Sequence, residues 1–263
     1  MKAALRAIIV SVIAWAPAAI DAQGPPAAAG PPRSARGAAP VDLTGQWVSV
    51  ISEDWRWRMV TPLKGDFASI PVNDEARKVG RAWDPVKDEA AGEACKAYGA
   101  PAIMRVPGRV RISWQDEDTL KIETDAGSQT RLLHFSPRST PAGEPQWQGY
   151  STARWEPPAA GVIPPAGFAL GLSPRAGARG RSLEVTTTRL RAGYLRKNGI
   201  PYSSDATVTE YFDLFKEPGG AEWFVVTTIV RDAQYLNGPW VTSSNFKKEM
   251  DPGNWSPSAC TAR

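Results

Sequence analysis

The clearest strand pattern in the chain is in residues 109–135, RVRISWQDEDTLKIETDAGSQTRLLHF. In it, apolar residues recur at every second position: Val110, Ile112 and Trp114 before the first turn, Leu120 and Ile122 after it. This alternation places the apolar side chains on one face of each strand. Turn residues at 116–118 and 125–127 separate the runs, so the segment predicts a three-stranded antiparallel meander.

Comparable runs, bounded by turn residues, extend along most of the chain. We predict strands at approximately 45–52, 55–60, 102–106, 109–115, 119–124, 128–135, 148–155, 183–190, 207–216, 222–231 and 240–247. Two segments indicate helix instead, namely 73–83, where Asn73 is a suitable N-cap, and 85–95. The predicted fold class is therefore mainly β, with a short helical insertion.

A series of about ten strands must protect its sheet edges, which a closed barrel or a β-sandwich can do. The run 222–231 is apolar on both faces, with Trp223, Val225 and Ile229 on one and Phe224, Val226 and Val230 on the other. Both faces must then be covered, as when a helix or a long loop packs outside a barrel. We therefore predict an antiparallel β-barrel of about ten strands, with a β-sandwich as the alternative.

The first 40 residues divide into two segments by composition. In residues 1–22, Lys2 and Arg6 precede an apolar run that small residues follow, which is typical of a cleaved signal peptide. The run is interrupted by Pro17 and Asp21, so an uncleaved anchor is less favoured, and we expect no membrane span after cleavage. Residues 23–40 contain almost no large side chains and predict a disordered Pro/Ala/Gly linker.

Residues 41–263 are long enough to form one domain with a single core. Within them, the Pro/Gly-rich tract 156–181 predicts a long flexible loop, which is either disordered or forms an apolar lid through residues 168–172. The signal peptide predicts a periplasmic or secreted protein, in a compartment where disulfides form. Cys95 and Cys260, the only two cysteines, are therefore predicted to pair.

Charge and scarce residue types exclude several classes of protein. The first 40 residues carry +3 of the net charge of +4, so the domain is close to neutral and its basic residues alternate with acidic ones. We therefore expect no nucleic-acid partner. One His and two Cys cannot supply a Cys/His zinc site, and no Gly-rich phosphate loop follows a strand, so we predict no metal and no cofactor.

The segment 53–59, EDWRWRM, is the most unusual in the chain. If it is a strand, it turns Trp55, Trp57 and Met59 to one face and its charged residues, including Arg58, to the other. The indole rings then either fill the core, with the arginines in solvent, or line a ligand cavity.

Charged residues on otherwise apolar strand faces are further candidates. A buried carboxylate needs a guanidinium beside it, and such a pair could hold the polar end of a ligand. Alternatively, these residues lie near strand ends and reach water. The candidate ligand-binding residues are Trp55, Trp57, Arg58, Trp114, Arg189, Glu210 and Arg231.

An enzyme is the first alternative to a binding protein. Asp54, Glu210 and His134 are the candidate acids and bases for a hydrolase, lyase or isomerase that uses the same cavity. The chain has no Gly-x-Ser-x-Gly motif, and a serine or cysteine nucleophile would depend on His134, the only histidine.

Residues 43–47, LTGQW, resemble the opening Gly-x-Trp signature of lipocalin-like (calycin-type) β-barrels. In that family the Trp packs at the closed end of the barrel, and an Arg from the last strands lies over it. The resemblance implies this role for Trp47, with Arg231 as the candidate Arg.

A second resemblance spans roughly residues 42–250. Its motifs are CKAYG at 95–99, MRVP at 104–107, RW at 154–155, GIPYS at 199–203 and VTEYF at 208–212. They are similar to a group of uncharacterised secreted bacterial proteins, which implies a secreted single domain but no particular reaction.

Together, these patterns predict a secreted or periplasmic barrel that binds a small, largely apolar molecule in its cavity. The alternatives are the cofactor-independent enzyme and a carbohydrate-contacting envelope protein that uses exposed Trp residues. The sequence indicates no oligomeric state.

Overall fold

Nine strands close into a barrel in the computed structural model, which describes residues 34–136, 143–156 and 182–263. The strands are β1 (Gly45–Val50), β2 (Arg109–Trp114), β3 (Thr119–Thr124), β4 (Thr130–His134), β5 (Tyr150–Trp155), β6 (Leu183–Thr188), β7 (Gly193–Arg196), β8 (Ile200–Tyr202), β9 (Thr207–Lys216), β10 (Glu222–Arg231) and β11 (Trp240–Glu249). Their order around the barrel is β1-β11-β10-β9-β6-β5-β4-β3-β2, and β7 pairs with β8 in a separate hairpin. The predicted mainly β barrel is confirmed, in preference to the sandwich.

All neighbouring strands of the barrel are antiparallel except β4 and β5. One parallel pair is unavoidable, because an odd number of strands cannot alternate in direction all the way around a closed ring. The pair is short: Leu133 lies opposite Ser151, and His134 lies opposite Thr152. The prediction of about ten strands, all antiparallel, therefore differs from the structure in both details.

The predicted meander is formed by β2, β3 and β4. Ile112 lies opposite Ile122, and both are buried, as the alternation indicates. At the second turn, Gly127 has a φ of 75°, a left-handed conformation that glycine adopts without steric cost. The Asp125 carboxylate accepts a hydrogen bond from the Ala126 N–H there.

Two of the predicted strands are wrong. Residues 55–60 begin with the helical turn α1 (Trp55–Arg58), and 102–106 contain a 3₁₀ turn at Ile103–Arg105. The two turns bind each other, because the Arg58 Nε donates to the Arg105 carbonyl. A tertiary contact thus overrides the local alternation on which the strand prediction rested.

The helical insertion contains α2 (Asp74–Ala82) and α3 (Pro85–Ala90). The Asn73 side chain accepts a hydrogen bond from the Ala76 N–H at 3.0 Å, so the predicted N-cap of α2 is confirmed. The helix predicted for 85–95 ends earlier than expected, at Ala90, and a 3₁₀ turn follows at Ala94–Tyr98.

Two apolar clusters form the core. The first fills the barrel with Leu43, Trp47, Tyr98, Ile103, Met104, Val110, Ile112, Leu120, Ile122, Leu133, Ala153, Leu183, Val185, Phe212, Phe224, Val226 and Phe246. The second joins the insertion and the β7–β8 hairpin to Val208, Val230 and Trp240, which pair with one another across β9, β10 and β11. The insertion therefore packs against one end of the barrel.

The predicted disulfide between Cys95 and Cys260 is present. It links the insertion to the C-terminal tail, which also makes backbone contacts with the domain. The Ser258 N–H donates to the Asp125 carbonyl. These contacts fix a tail that has no strand or helix after the 3₁₀ turn at Pro252–Asn254.

Several predictions fall outside the described residues. They are the signal peptide at 1–22, the linker up to residue 33 and the loop from 157 to 181. Residues 34–40 belong to the predicted linker but contact the β2–β3 turn, since the Ala35 N–H donates to Asp118 and the Ser34 hydroxyl to Glu117. The composition predicts that residues 34–40 are disordered, but in the structure hydrogen bonds hold this part of the chain against the domain. Among the described helices, none has the length and apolar character to cross a membrane.

Candidate functional site

The barrel interior, where the sequence predicts a ligand cavity, holds apolar side chains and a buried ion pair. Arg131 is 1% exposed and Glu210 is 0% exposed. The Arg131 Nη2 donates to the Glu210 Oε2 at 2.6 Å, and the Arg131 Nη1 donates to the Oε1 at 3.2 Å. Arg131 also donates to the Thr187 hydroxyl, which hydrogen-bonds to Ser151. Glu210 is therefore engaged by Arg131, a partner that the sequence analysis did not identify.

A small pocket of about 50 Å³, open to solvent, lies outside the barrel. It is formed by α1 with the residues after it, the segment around the 3₁₀ turn Ile103–Arg105, and the end of β7. Its walls combine apolar and cationic side chains: Trp57, Arg58, Val60, Thr61, Pro62, Ala97, Ala102, Arg105, Val106, Pro107, Leu195, Arg196 and Lys197. Sites for small molecules typically have mostly apolar walls and a small number of polar groups that point toward the same space. We call this feature the arginine pocket.

Three arginines of this pocket are more than 90% buried, with Arg58 at 8%, Arg105 at 6% and Arg196 at 5% exposure. Each reaches the pocket from a different part of the chain, namely α1, the 3₁₀ turn and β7. Lys197 adds a fourth, less buried cation whose Nζ donates to Thr261. Buried guanidinium groups are costly unless they are paired.

The pairing of the three arginines is partial. Arg58 donates from Nη1 to Glu53 at 2.5 Å, and Arg105 donates from Nη2 to Asp54 at 2.9 Å. Arg196 has a neutral partner, the Ser69 hydroxyl at 2.7 Å. Asp54 has a φ of 52°, a left-handed conformation that is uncommon for residues other than glycine, immediately before α1.

Four guanidinium nitrogens in the pocket have no hydrogen-bond partner among the described residues. They are the Arg58 Nη2, the Arg105 Nη1, and the Nε and Nη1 of Arg196. A buried donor without a partner costs about 1–3 kcal/mol, and more when it is charged. These four nitrogens are themselves buried, so an anion that entered between the arginines would give them the partners that the described residues do not supply.

Burial shifts the titration of these groups. Burial is the largest cause, and together with the positive charge of Arg105 it lowers the pKa of Arg58 and of Arg196 to about 10. Burial is also the main cause that lowers the pKa of Arg105. The three groups stay protonated at neutral pH, and an anion in the pocket would oppose the shift because it favours the charged form.

Aromatic rings lie against two of the guanidinium groups. The Arg196 Cζ is 5.1 Å from the centroid of the Trp57 ring, and the Arg105 Cζ is 5.2 Å from that of Trp240. The Trp57 Nε1–H donates to the Asp66 carboxylate. Arg–aromatic stacking fixes the plane of the guanidinium, so the free N–H groups are held in defined directions.

One wall of the pocket continues along the chain into an exposed apolar stretch, which we call the apolar rim. The described residues contain eight exposed large hydrophobic side chains, and four of them lie within nine residues: Trp55, Met59, Val60 and Leu63. The strand prediction placed Trp55 and Trp57 on one inner face, but in the structure Trp55 is exposed and Arg58 is buried. The helical turn causes this difference, because it replaces a period of two with one of 3.6.

The remaining candidate ligand-binding residues do not join this pocket. Trp114 packs against Phe135 with ring centroids 5.5 Å apart. Arg189 donates to the Gly143 carbonyl and lines another pocket. Arg231 is exposed, and the cation over the Trp47 ring is the Lys248 ammonium group, 5.1 Å from the ring centroid.

The three candidate acids and bases have separate partners. Asp54 accepts from Arg105, Glu210 accepts from Arg131, and His134 stacks on Tyr150 with ring centroids 5.0 Å apart. Burial lowers the pKa of His134. No contact joins the three groups within the described ranges, so the structure does not bring these three candidates together in one site.

Two further observations concern carbohydrate contact and metal binding. In the part of the chain that the structure describes, Trp55 is the one exposed tryptophan, so a row of exposed indole rings for carbohydrate contact is not formed there. No group of three His, Cys, Asp or Glu side chains among these residues is placed to hold a metal ion.

Arg105 and Arg196 are the residues of this site that the sequence analysis missed. Both follow apolar residues directly, in Ile103-Met104-Arg105 and Tyr194-Leu195-Arg196. A cation in such a run signals a buried charge, but the contact between the two segments depends on the tertiary fold. Comparison of the chain with protein-family models, curated proteins and solved structures finds no match.

Proposed function

We propose that this protein binds a small molecule that carries one anionic group and an apolar portion, and that the arginine pocket is the binding site. The observation that carries this proposal is the convergence of three buried, incompletely paired guanidinium groups on one pocket. The barrel cavity of the sequence-based hypothesis is replaced by this pocket, because the barrel interior holds side chains.

The chemistry of the walls supports an amphiphilic anion over a small inorganic ion. Guanidinium groups recognise carboxylate and phosphate through paired N–H donors. Val60, Ala102, Val106 and Leu195 offer apolar surface beside those donors. Removing an alkyl group from water at this surface contributes roughly 25 cal/mol per Å².

An extracytoplasmic location forms part of the proposal. The disulfide between Cys95 and Cys260 supports it, since such bonds persist mainly in oxidising compartments. The predicted signal peptide at 1–22 and the second resemblance agree with this location. A protein there would meet fatty acids, lipids and other amphiphilic anions outside the cytoplasm.

Decanoate is a suitable probe for the first prediction, because it combines a carboxylate with an alkyl chain. We expect the mature chain to bind decanoate in isothermal titration calorimetry, and Arg105→Gln to weaken binding at least about tenfold. The reason is that a hydrogen bond to a charged group contributes about 1.5–3 kcal/mol. Decanol, which has no anionic group, should bind at least about tenfold more weakly than decanoate.

The control for this experiment is Arg81→Gln, which removes an exposed arginine on α2. Its affinity for decanoate should equal that of the wild type. Thermal unfolding of Arg105→Gln and of a second variant, Arg196→Gln, separates loss of binding from loss of fold. Equal affinities for decanol and decanoate, or unchanged binding by both folded variants, would rule out the proposed site.

A further inference from the structure

The exposed apolar rim belongs to the same segment as one wall of the arginine pocket. Residues 60–62 line the pocket, and Trp55, Met59, Val60 and Leu63 in the same segment are exposed. Several exposed apolar side chains within one short segment are typical of an interaction site. We call residues 55–64 the docking segment.

The shape of the docking segment fits a lipid surface. It is a short helical turn followed by a loop, and its apolar side chains project outward. Trp is the side chain that prefers the level of the headgroups in a bilayer, because its ring is apolar and its N–H is polar. Met, Val and Leu beside it can enter the outer part of the acyl layer.

The charges around the docking segment favour an anionic surface. Arg56 has 71% of its side chain exposed, lies 4.0 Å from the Asp66 carboxylate and has its Cζ 5.5 Å from the centroid of the Trp57 ring. Lys64 is exposed at the other end of the segment. Exposed cations next to an apolar patch attract anionic headgroups electrostatically. The nearby carboxylates of Glu53 and Asp54 are engaged by Arg58 and Arg105.

The arginine pocket lies next to this surface, where a headgroup phosphate would be. In a bilayer, the phosphate lies just outside the acyl layer, so a protein that inserts an apolar rim brings neighbouring donors to the level of the phosphates. We propose that the docking segment binds anionic phospholipid bilayers, with its apolar side chains in the interface and a lipid phosphate in the arginine pocket. This inference rests on the proposed function, because both use the same pocket.

The test is sedimentation of the mature chain with vesicles. We expect binding to vesicles of equal parts phosphatidylglycerol and phosphatidylcholine, and at least about tenfold weaker binding to phosphatidylcholine alone. The double variant Met59→Ser/Leu63→Ser should lower binding to the anionic vesicles at least about tenfold. Neither residue lines the pocket, so its affinity for decanoate should stay at the wild-type value.

A matched control is available on other faces of the molecule. Val86 and Val241 are 73% and 58% exposed, against 73% for Leu63 and 59% for Met59. The double variant Val86→Ser/Val241→Ser removes a similar amount of exposed apolar side chain and should sediment with the anionic vesicles as the wild type does. If both double variants lost vesicle binding equally, the proposal that the docking segment binds the bilayer specifically would be wrong.

The decanoate and vesicle experiments together distinguish a failure of this inference from a failure of the proposed function. Binding of decanoate in solution, without sedimentation on phosphatidylglycerol vesicles, contradicts the inference and leaves the proposed function intact. Sedimentation that depends on Met59 and Leu63 but not on Arg105 contradicts the phosphate site. Concentration-dependent dimerisation that Met59→Ser/Leu63→Ser abolishes would show that a second copy covers the segment, which also overturns the inference.

Discussion

Replacement of Glu210 by Gln is expected to destabilise the protein by about 3–5 kcal/mol, measured by chemical denaturation monitored through tryptophan fluorescence. The reason is the environment of Arg131, which is 1% exposed and receives both of its short ionic contacts from Glu210. Without the carboxylate, a guanidinium stays charged inside the barrel. Thr187 is its only other hydrogen-bond partner among the described residues.

Glu184→Gln is the control for this prediction. Glu184 accepts from Arg154 on the outer surface of neighbouring strands, where 73% of the Arg154 side chain is exposed. Removing a pair of this kind typically changes stability by about 0–1 kcal/mol. If Glu210→Gln costs no more than Glu184→Gln, the interior pair does not have the energetic role assigned to it.

A second variant separates the cost of an unpaired charge from the value of the pair. Arg131→Met/Glu210→Leu removes both charges and keeps side chains of similar length. Replacing a whole buried pair with apolar residues is often neutral or stabilising, so the double variant is expected to be more stable than Glu210→Gln. The Thr187 and Ser151 hydroxyls would still bond to each other.

Loss of the disulfide is expected to have a comparable effect. Cys95 and Cys260 are 165 residues apart in sequence, and closing a loop of this size stabilises the fold by about 5 kcal/mol in the chain-entropy model. The double variant Cys95→Ala/Cys260→Ala should therefore unfold at lower denaturant concentration than the oxidised wild type. The cause is greater freedom of the unfolded chain.

Reductant supplies the control for the disulfide. Dithiothreitol should shift the denaturation curve of the wild type toward that of the double variant and leave the double variant unchanged. Thiol titration of the unreduced, denatured wild type should find no free thiol. Two free thiols per chain would show that the disulfide is not formed. The same conclusion would follow if dithiothreitol left the denaturation curve of the wild type unchanged.

The parts of the fold that sequence predicts well are those in which local pattern and tertiary packing agree. In the meander, Val110, Ile112 and Ile122 alternate with polar residues and are buried in the barrel. The Asn73 cap is likewise a local interaction, since it satisfies a backbone N–H three residues later. Such signals need no knowledge of distant residues.

The parts that sequence predicts poorly depend on distant contacts. Residues 55–60 alternate as a strand would, yet they form a turn held by Arg105, which is 47 residues from Arg58. The hairpin of β7 and β8 was missed because both strands are short.

The candidate site shows the same division. The sequence pointed to Trp57 and Arg58 because of their unusual segment, and both line the arginine pocket. Arg105 and Arg196 join them only after the chain has folded. Glu210 was recognised as a carboxylate that needs a guanidinium, but its partner is Arg131 on β4, because the order of strands around the barrel decides which side chains meet.

The single parallel contact between β4 and β5 limits how this architecture can diversify. In any closed ring of strands, the number of like-directed neighbours is odd when the strand total is odd and even when it is even. A descendant that gained or lost one strand would therefore have to change the number of parallel contacts in the same step, either by rebuilding this junction or by adding a second parallel contact elsewhere. Duplication or deletion of a whole hairpin leaves the junction untouched, so relatives of this protein should differ in size by pairs of strands.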